Sequence, residues 1–154
     1  MADQSKSKIV TFRLPAQPLR TVPDFEAFVP GTALEPLGVQ ILAVDEQHML
    51  LRMPITDAAR QPAGLLHGGI SLLLAESAAS MHACWGIDLR ERFPVGIEIN
   101  GSHLRSASAG YVRAVATLAR GSQNLAVHEV RITNEETGEL LCLARVTNFY
   151  KKVG

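Results

Sequence analysis

The order of apolar and polar residues along the chain predicts strands on either side of one long helix. GVQILAVD and HMLLRMPI, separated by Glu46 and Gln47, read as the two strands of a hairpin. After the loop Gln61-Pro62-Ala63-Gly64, the apolar run over 65–85 is too long for a strand and predicts a helix. RFPVGIEINGSHLRS, YVRAVATLAR, QNLAVHEVRITN and ELLCLARVTNFY follow as strand-like segments. They are separated by SASAG, GS and EETG, the turn chemistry of an antiparallel meander. Ala126, His128, Val130 and Ile132 recur at every second position, which gives that strand one mainly apolar face; the other mixes Val127 with Glu129, Arg131 and Thr133. A sheet with an apolar face must cover it, and the central helix is the long apolar element available. The expected fold class is therefore α+β: a curled antiparallel β-sheet wrapped around one long central α-helix.

The start of the chain adds less. Residues 1–23 carry Ser, Lys, Gln and three prolines without clear periodicity, so an N-terminal arm is expected there and a single domain over 24–154. Phe25, Phe28 and Leu34 around Pro30-Gly31 permit one or two short helical turns, with Asp24 as a candidate N-cap after Pro23.

Composition narrows the function classes. At 154 residues and 47% hydrophobic, the chain is long enough for one core and short for two. Fifteen basic and fifteen acidic residues cancel, which argues against a nucleic-acid partner. There is no signal-peptide core and no run of the ~18 uncharged apolar residues that spanning a membrane needs, so a cytoplasmic protein without membrane attachment is expected. Cys84 and Cys142 belong to no metal pattern and read as buried reduced thiols. His67, His82, His103 and His128 lack HxxxH or HxxE spacing, so no metal site is expected, and His82 reads as a packed core histidine.

The helix carries the candidate chemistry. HGGISLLLAESAASMHACW is apolar almost all round, which predicts burial on nearly every side, yet it contains Glu76. A carboxylate in such surroundings needs compensation. Glu76 either lies on a narrow solvated stripe, caps a neighbouring strand, or does chemistry. Ser80, one turn on, shares its face and can hold the carboxylate or a water. Gly68 and Gly69 open the helix, where free N–H groups and the positive end of the macrodipole favour a developing oxyanion. His67 and Gln61 can bond a carbonyl or orient the loop. Gly68 and Glu76 are eight residues apart, roughly 12 Å along the axis. One helix cannot aim both at one carbonyl, so a second antiparallel copy is needed and the site is expected twice at a two-fold dimer interface.

The run QPAGLLHGG, then Leu-Ala-Glu76-Ser, then VGIEINGSHLRSA resembles the hot-dog-fold acyl-CoA thioesterases. The similar group contains the Arthrobacter-type 4-hydroxybenzoyl-CoA and the bacterial 1,4-dihydroxy-2-naphthoyl-CoA thioesterases, and the likeness covers roughly 34–150. It implies a hot-dog fold, hydrolysis of acyl-CoA thioesters, and a homodimer that pairs into a homotetramer, with no metal or redox cofactor. Glu76 falls on the nucleophile or general-base position and Gly68 on the carbonyl-polarising N–H, while His67, Gln61 and Ser80 fall on supporting positions. Gly96 matches a glycine by the acyl pocket, which Gly69 and Met81 would also border. His103, Arg105, Ser106, Gly121 and Ser122 match segments along which coenzyme A runs; an ordinary strand end and turn is the alternative there. Small and aliphatic residues around the acyl position leave an aryl pocket and a medium-chain pocket both open. The competing class is a hot-dog module that binds acyl-CoA without cutting it, which would not need Glu76. A dehydratase is disfavoured because His82 is about 120° around the helix from Glu76.

Overall fold

A computed structural model of the chain describes residues 13–154, so the first half of the expected arm, residues 1–12, lies outside the described residues. A short helix α1 (Val22–Glu26) precedes strands β1 (Gln40–Val44) and β2 (His48–Pro54). The long helix α2 (Gly68–His82) follows, and then β3 (Arg92–His103), β4 (Tyr111–Gly121), β5 (Leu125–Asn134) and β6 (Leu140–Lys152). All neighbours pair antiparallel in one six-stranded sheet of order β1-β2-β4-β5-β6-β3. This is the expected curled sheet around a central helix.

The meander holds for β4-β5-β6 but not for β3, which lies on the far side of β6. SASAG is accordingly no hairpin turn. It belongs to the crossing from β3 to β4, on which Leu66 N–H donates to Ala107 O at 2.8 Å. Local turn residues cannot tell a hairpin from a crossing, because strand order is settled by which edge the helix connection reaches.

Buried side chains of the sheet's inner face, Met49, Leu51, Met53, Val112, Val130, Ile132 and Val146 among them, meet α2 through Leu74, Ala75, Ala78 and Ala79. Alanines there let the sheet approach the helix backbone closely. Each fully buried large aliphatic side chain contributes about 1.5–3 kcal/mol relative to exposure. The β5 alternation is as expected, with Ala126, His128, Val130 and Ile132 all inward and buried.

Three local expectations change. The helix starts at Gly68 rather than 65, because Leu66 forms a β-bridge with Arg60 and His67 takes the N-cap. The N-cap of α1 is Thr21, with Pro23 in the first turn, and Asp24 instead accepts from Arg20 N, Thr21 N and Thr21 Oγ1. Those bonds hold its carboxyl below the usual range. Burial of α2 is one-sided in the single chain: Ser71, Leu74, Ala75, Ala78, Ala79 and His82 are buried, whereas Leu73, Glu76, Ser77 and Ser80 are only partly covered. At 100° per residue those four form the stripe opposite the sheet. The sheet curls around one side of the helix and leaves the stripe that carries Glu76 to a different surface.

Candidate active site

Glu76 projects from the outward stripe towards β3. A Cβ placed on Gly96 would lie 2.7 Å from Glu76 Oε1, so the glycine is what lets the carboxylate rest against the strand. The sheet helps at the same point. The β3–β6 register shifts between Gly96 and Glu98, making Ile97 the extra residue of a bulge, 59% exposed on the open edge. Ser80 is one turn on, but its hydroxyl donates to Asn148 Oδ1 at 3.0 Å rather than to Glu76. Asn148 is fully buried, and its Nδ2 has no partner among the described residues. Sequence reasoning missed Asn148. The signal was present, for it interrupts the inward alternation of Ala144 and Val146 on β6 with a polar side chain.

The other end of α2 is a separate group. His67 is the N-cap, and its Nδ1 accepts from Gly69 N–H at 2.8 Å, which places the imidazole proton on Nε2. Ile70 N–H and Ser71 N–H both donate to His67 O. Gly68 N–H has no partner among the described residues, so it is the free donor at the positive end of the helix. Gly69, whose N–H is taken, is not. His103 leans over Gly68 so closely that a Cβ on this glycine would meet its Nε2 at 2.7 Å. Gln61, Gly68, Ser71, His103, Arg105 and Ser106 line one cavity of about 400 Å³. Gln61 Oε1 accepts from Ala63 N–H and staples its own loop. Arg105 pairs with Glu139 at 3.0 Å. Gly121 and Ser122 are not part of this cavity: Ser122 Oγ accepts from Asn124 N and Leu125 N and stabilises the β4–β5 turn.

Beyond Ser80 lies a smaller pocket of about 170 Å³, lined by Ser80, Met81 and Cys84 of the α2 segment, Phe93 and Pro94 of β3, and Phe25 and Phe28 at α1. Aromatic walls from the α1 region were not foreseen, since nothing in the sequence joins residue 28 to residue 81. Cys84 is buried, and desolvation pushes its thiol up to about 12; Cys142 is buried and raised for the same reason. His82 is a packed core histidine as expected, bonded to His128 and to Asp45 O.

Thus Gln61, Gly68, His103, Arg105 and Ser106 come together at one end of α2. Glu76, Ser80, Gly96 and Met81 come together towards the other. About 12 Å of helix separates Gly68 from Glu76.

The sequence model of the thioesterase superfamily matches residues 63–141. The chain is 40% identical over 118 residues to a 1,4-dihydroxy-2-naphthoyl-CoA hydrolase of Listeria monocytogenes, covering 77% of this chain and 94% of that one. It is 34% identical over 127 residues to the Escherichia coli hydrolase of the same name, covering 82% and 92%. A crystal structure of a thioesterase from Haemophilus influenzae superposes with a TM-score of 0.81 at 31% identity, covering 88% of this chain and 93% of that one.

Proposed function

Because the chain belongs to the thioesterase superfamily and has its hot-dog fold, we propose that it hydrolyses acyl-CoA thioesters at a site completed by two copies of the chain. The strongest support is the presence, on one helix, of a partnerless donor at Gly68 and a half-buried carboxylate at Glu76, too far apart to meet on one carbonyl. An antiparallel second copy across the outward stripe brings the Glu76 of one protomer to the Gly68 of the other. β3 is an edge strand that bears exposed Val95 and Ile97, and pairing it with its twin would satisfy that edge. Val95, Phe149 and Leu125 lie side by side across β3, β6 and β5, all exposed, and offer such dimers an apolar surface for pairing into a tetramer.

In this arrangement the thioester oxygen accepts from Gly68 N–H, at the end of the helix whose dipole favours negative charge. Glu76 then acts in one of two ways. As a nucleophile it attacks the carbonyl carbon, expels the coenzyme A thiolate and leaves a mixed anhydride that water cleaves. As a general base it takes a proton from a water held near Ser80 while the resulting hydroxide attacks. The cavity beside Gly68 suits the coenzyme, with Arg105 for its phosphates and His103 and Ser106 along its length. Neither route requires a metal or a redox cofactor.

Steady-state hydrolysis of an acyl-CoA panel tests the proposal. Glu76→Ala is expected to lose ~10²–10⁴-fold in rate for a general base, and more for a nucleophile. Equal rates for wild type and variant would refute it and leave a binding module. Single turnover in oxygen-18 water separates the two routes, since only the anhydride route puts label into the Glu76 carboxylate.

A further inference from the structure

Resting on Glu76 and Gly68 as the reacting groups, we propose that Asn148 is a positioning residue for the hydrolytic step. Its amide oxygen accepts from the Ser80 hydroxyl, so Ser80 is left to hold the attacking water as an acceptor rather than a donor.

Asn148 is a polar side chain where the sheet has no structural use for one. It is fully buried on the inward face of β6, in the alternation of Cys142, Ala144 and Val146, and its Nδ2 has no partner among the described residues. A buried amide left half satisfied destabilises a fold, whereas an apolar side chain there would not carry that penalty. Such a departure from a consistent core is expected where a residue serves function. The bond that Asn148 does make from its side chain is the one to Ser80 Oγ, at 3.0 Å.

Position joins this pair to the reacting carboxylate. Gly96, Asn148 and Ala126 face one another across β3, β6 and β5, so Asn148 is flanked by a glycine and a methyl and its amide has room to reach α2. A Cβ on Gly96 would lie 2.7 Å from Glu76 Oε1 and 3.9 Å from Asn148 Oδ1. Carboxylate and amide therefore converge on one point in front of the strand, with Ser80 one helical turn from Glu76.

The direction of one proton then matters. A serine hydroxyl has a single proton and two lone pairs. Ser77, on the same helix, donates its proton back to Leu73 O at 2.7 Å, as helical serines do. Ser80 instead donates to the sheet, and what it has left for a water is its lone pairs. A water between Ser80 and Glu76 gives one O–H to each, which leaves its own electron pair free for the thioester carbon. As that pair forms the C–O bond, Glu76 takes one proton and the other stays on the acid product. The C–S pair departs on the coenzyme A thiolate, to which Glu76 returns its proton. A donating Ser80 would occupy the very pair that must attack. In the anhydride route the Glu76 carboxylate is itself acylated, and Ser80 is the acceptor that orients the water.

The test measures kcat and KM for acetyl-, hexanoyl- and benzoyl-CoA in wild type, Asn148→Ala, Asn148→Leu, Ser80→Ala and the two double variants, with thermal midpoints to check folding. Asn148→Ala and Asn148→Leu should each lower kcat roughly ten-fold and leave KM within about two-fold of wild type, because orientation is lost and binding is not. Ser80→Ala should lose about as much, and adding either Asn148 substitution to it should change kcat by less than about two-fold, since the amide acts through the hydroxyl. Wild-type kcat in both Asn148 variants would overturn the proposal and leave the thioesterase reading intact. So would a loss that is equally large with and without Ser80, which marks a structural role. If Asn148→Leu does not fold, Asn148→Ala and its double variant decide by the same ratios. A wild type that cleaves none of the three thioesters overturns both readings.

Discussion

Acidification should destabilise this protein well above the range in which carboxylates titrate, through the His82–His128 pair. His82 Nε2 donates to Asp45 O at 3.0 Å, so its Nδ1 carries a lone pair and accepts from His128 Nε2 at 2.7 Å. That leaves His128 Nδ1 bare, buried and without a partner among the described residues. A proton added there would place a charge in the core beside a second imidazole. Burial, reinforced by His82, presses His128 down to about 3, and burial also lowers His82. Both folded values lie below the ordinary histidine value of about 6.5, so the unfolded chain binds more protons. Stability is therefore full above pH 6.5 and lost as pH falls. For His128 alone the loss is about 2 kcal/mol by pH 5 and about 4 kcal/mol by pH 3, and His82 adds in the same direction. Asp88 and Glu135, held at about 2 by their arginine partners, add an acid-sensitive contribution only below about pH 4.5, so the window from 6.5 to 5 isolates the imidazoles. Urea unfolding at fixed protein concentration, every half unit from pH 7.5 to 5, measures the slope. His128→Gln, whose amide can still donate to His82, should flatten it by about 2 kcal/mol over the window. A wild-type free energy flat from pH 7 to 5, or an unchanged slope in the variant, would refute the assignment.

Two further outcomes follow from the geometry. Gly96→Ala would put a methyl 2.7 Å from Glu76 Oε1 and push the carboxylate aside, so kcat/KM should fall roughly ten- to hundred-fold with the thermal midpoint nearly unchanged; wild-type kinetics would contradict the contact. With its thiol at about 12, Cys84 is thiolate to only about one part in 10⁴ at pH 8, so native protein should resist Ellman's reagent and react on unfolding; rapid native labelling at Cys84 would count against its burial.

Period-two alternation was enough to read the inward face of β5, and the apolar run was enough to find α2 and its role as the covering element. The HGG opening and the lone Glu76 marked the two chemical ends of that helix for the same reason: each breaks an otherwise apolar pattern. What stayed hidden was long-range. The place of β3 at the far edge depends on a crossing rather than on its turn, and the pocket joins residues 25–28, 80–84 and 93–94 across three elements. Asn148 and the His82–His128 pair each sit in regular patterns as single polar intruders, legible as anomalies, but their partners lie on other elements.

Mixing two inactive variants tests whether Glu76 of one protomer works with Gly68 of the other. Glu76→Ala removes the carboxylate. Gly68→Pro removes the N–H at the first helical position, where proline is tolerated and His67 is already extended at φ −68, ψ 129, and also shifts His103 to admit the ring. In a mixed dimer one site then combines an intact Glu76 with an intact Gly68 and the other has neither. Unfolding the two together and refolding them should restore roughly a quarter of wild-type activity, the product of half the dimers being mixed and half their sites intact. Activity that stays at the level of the separate variants would mean that the two groups do not meet across the interface.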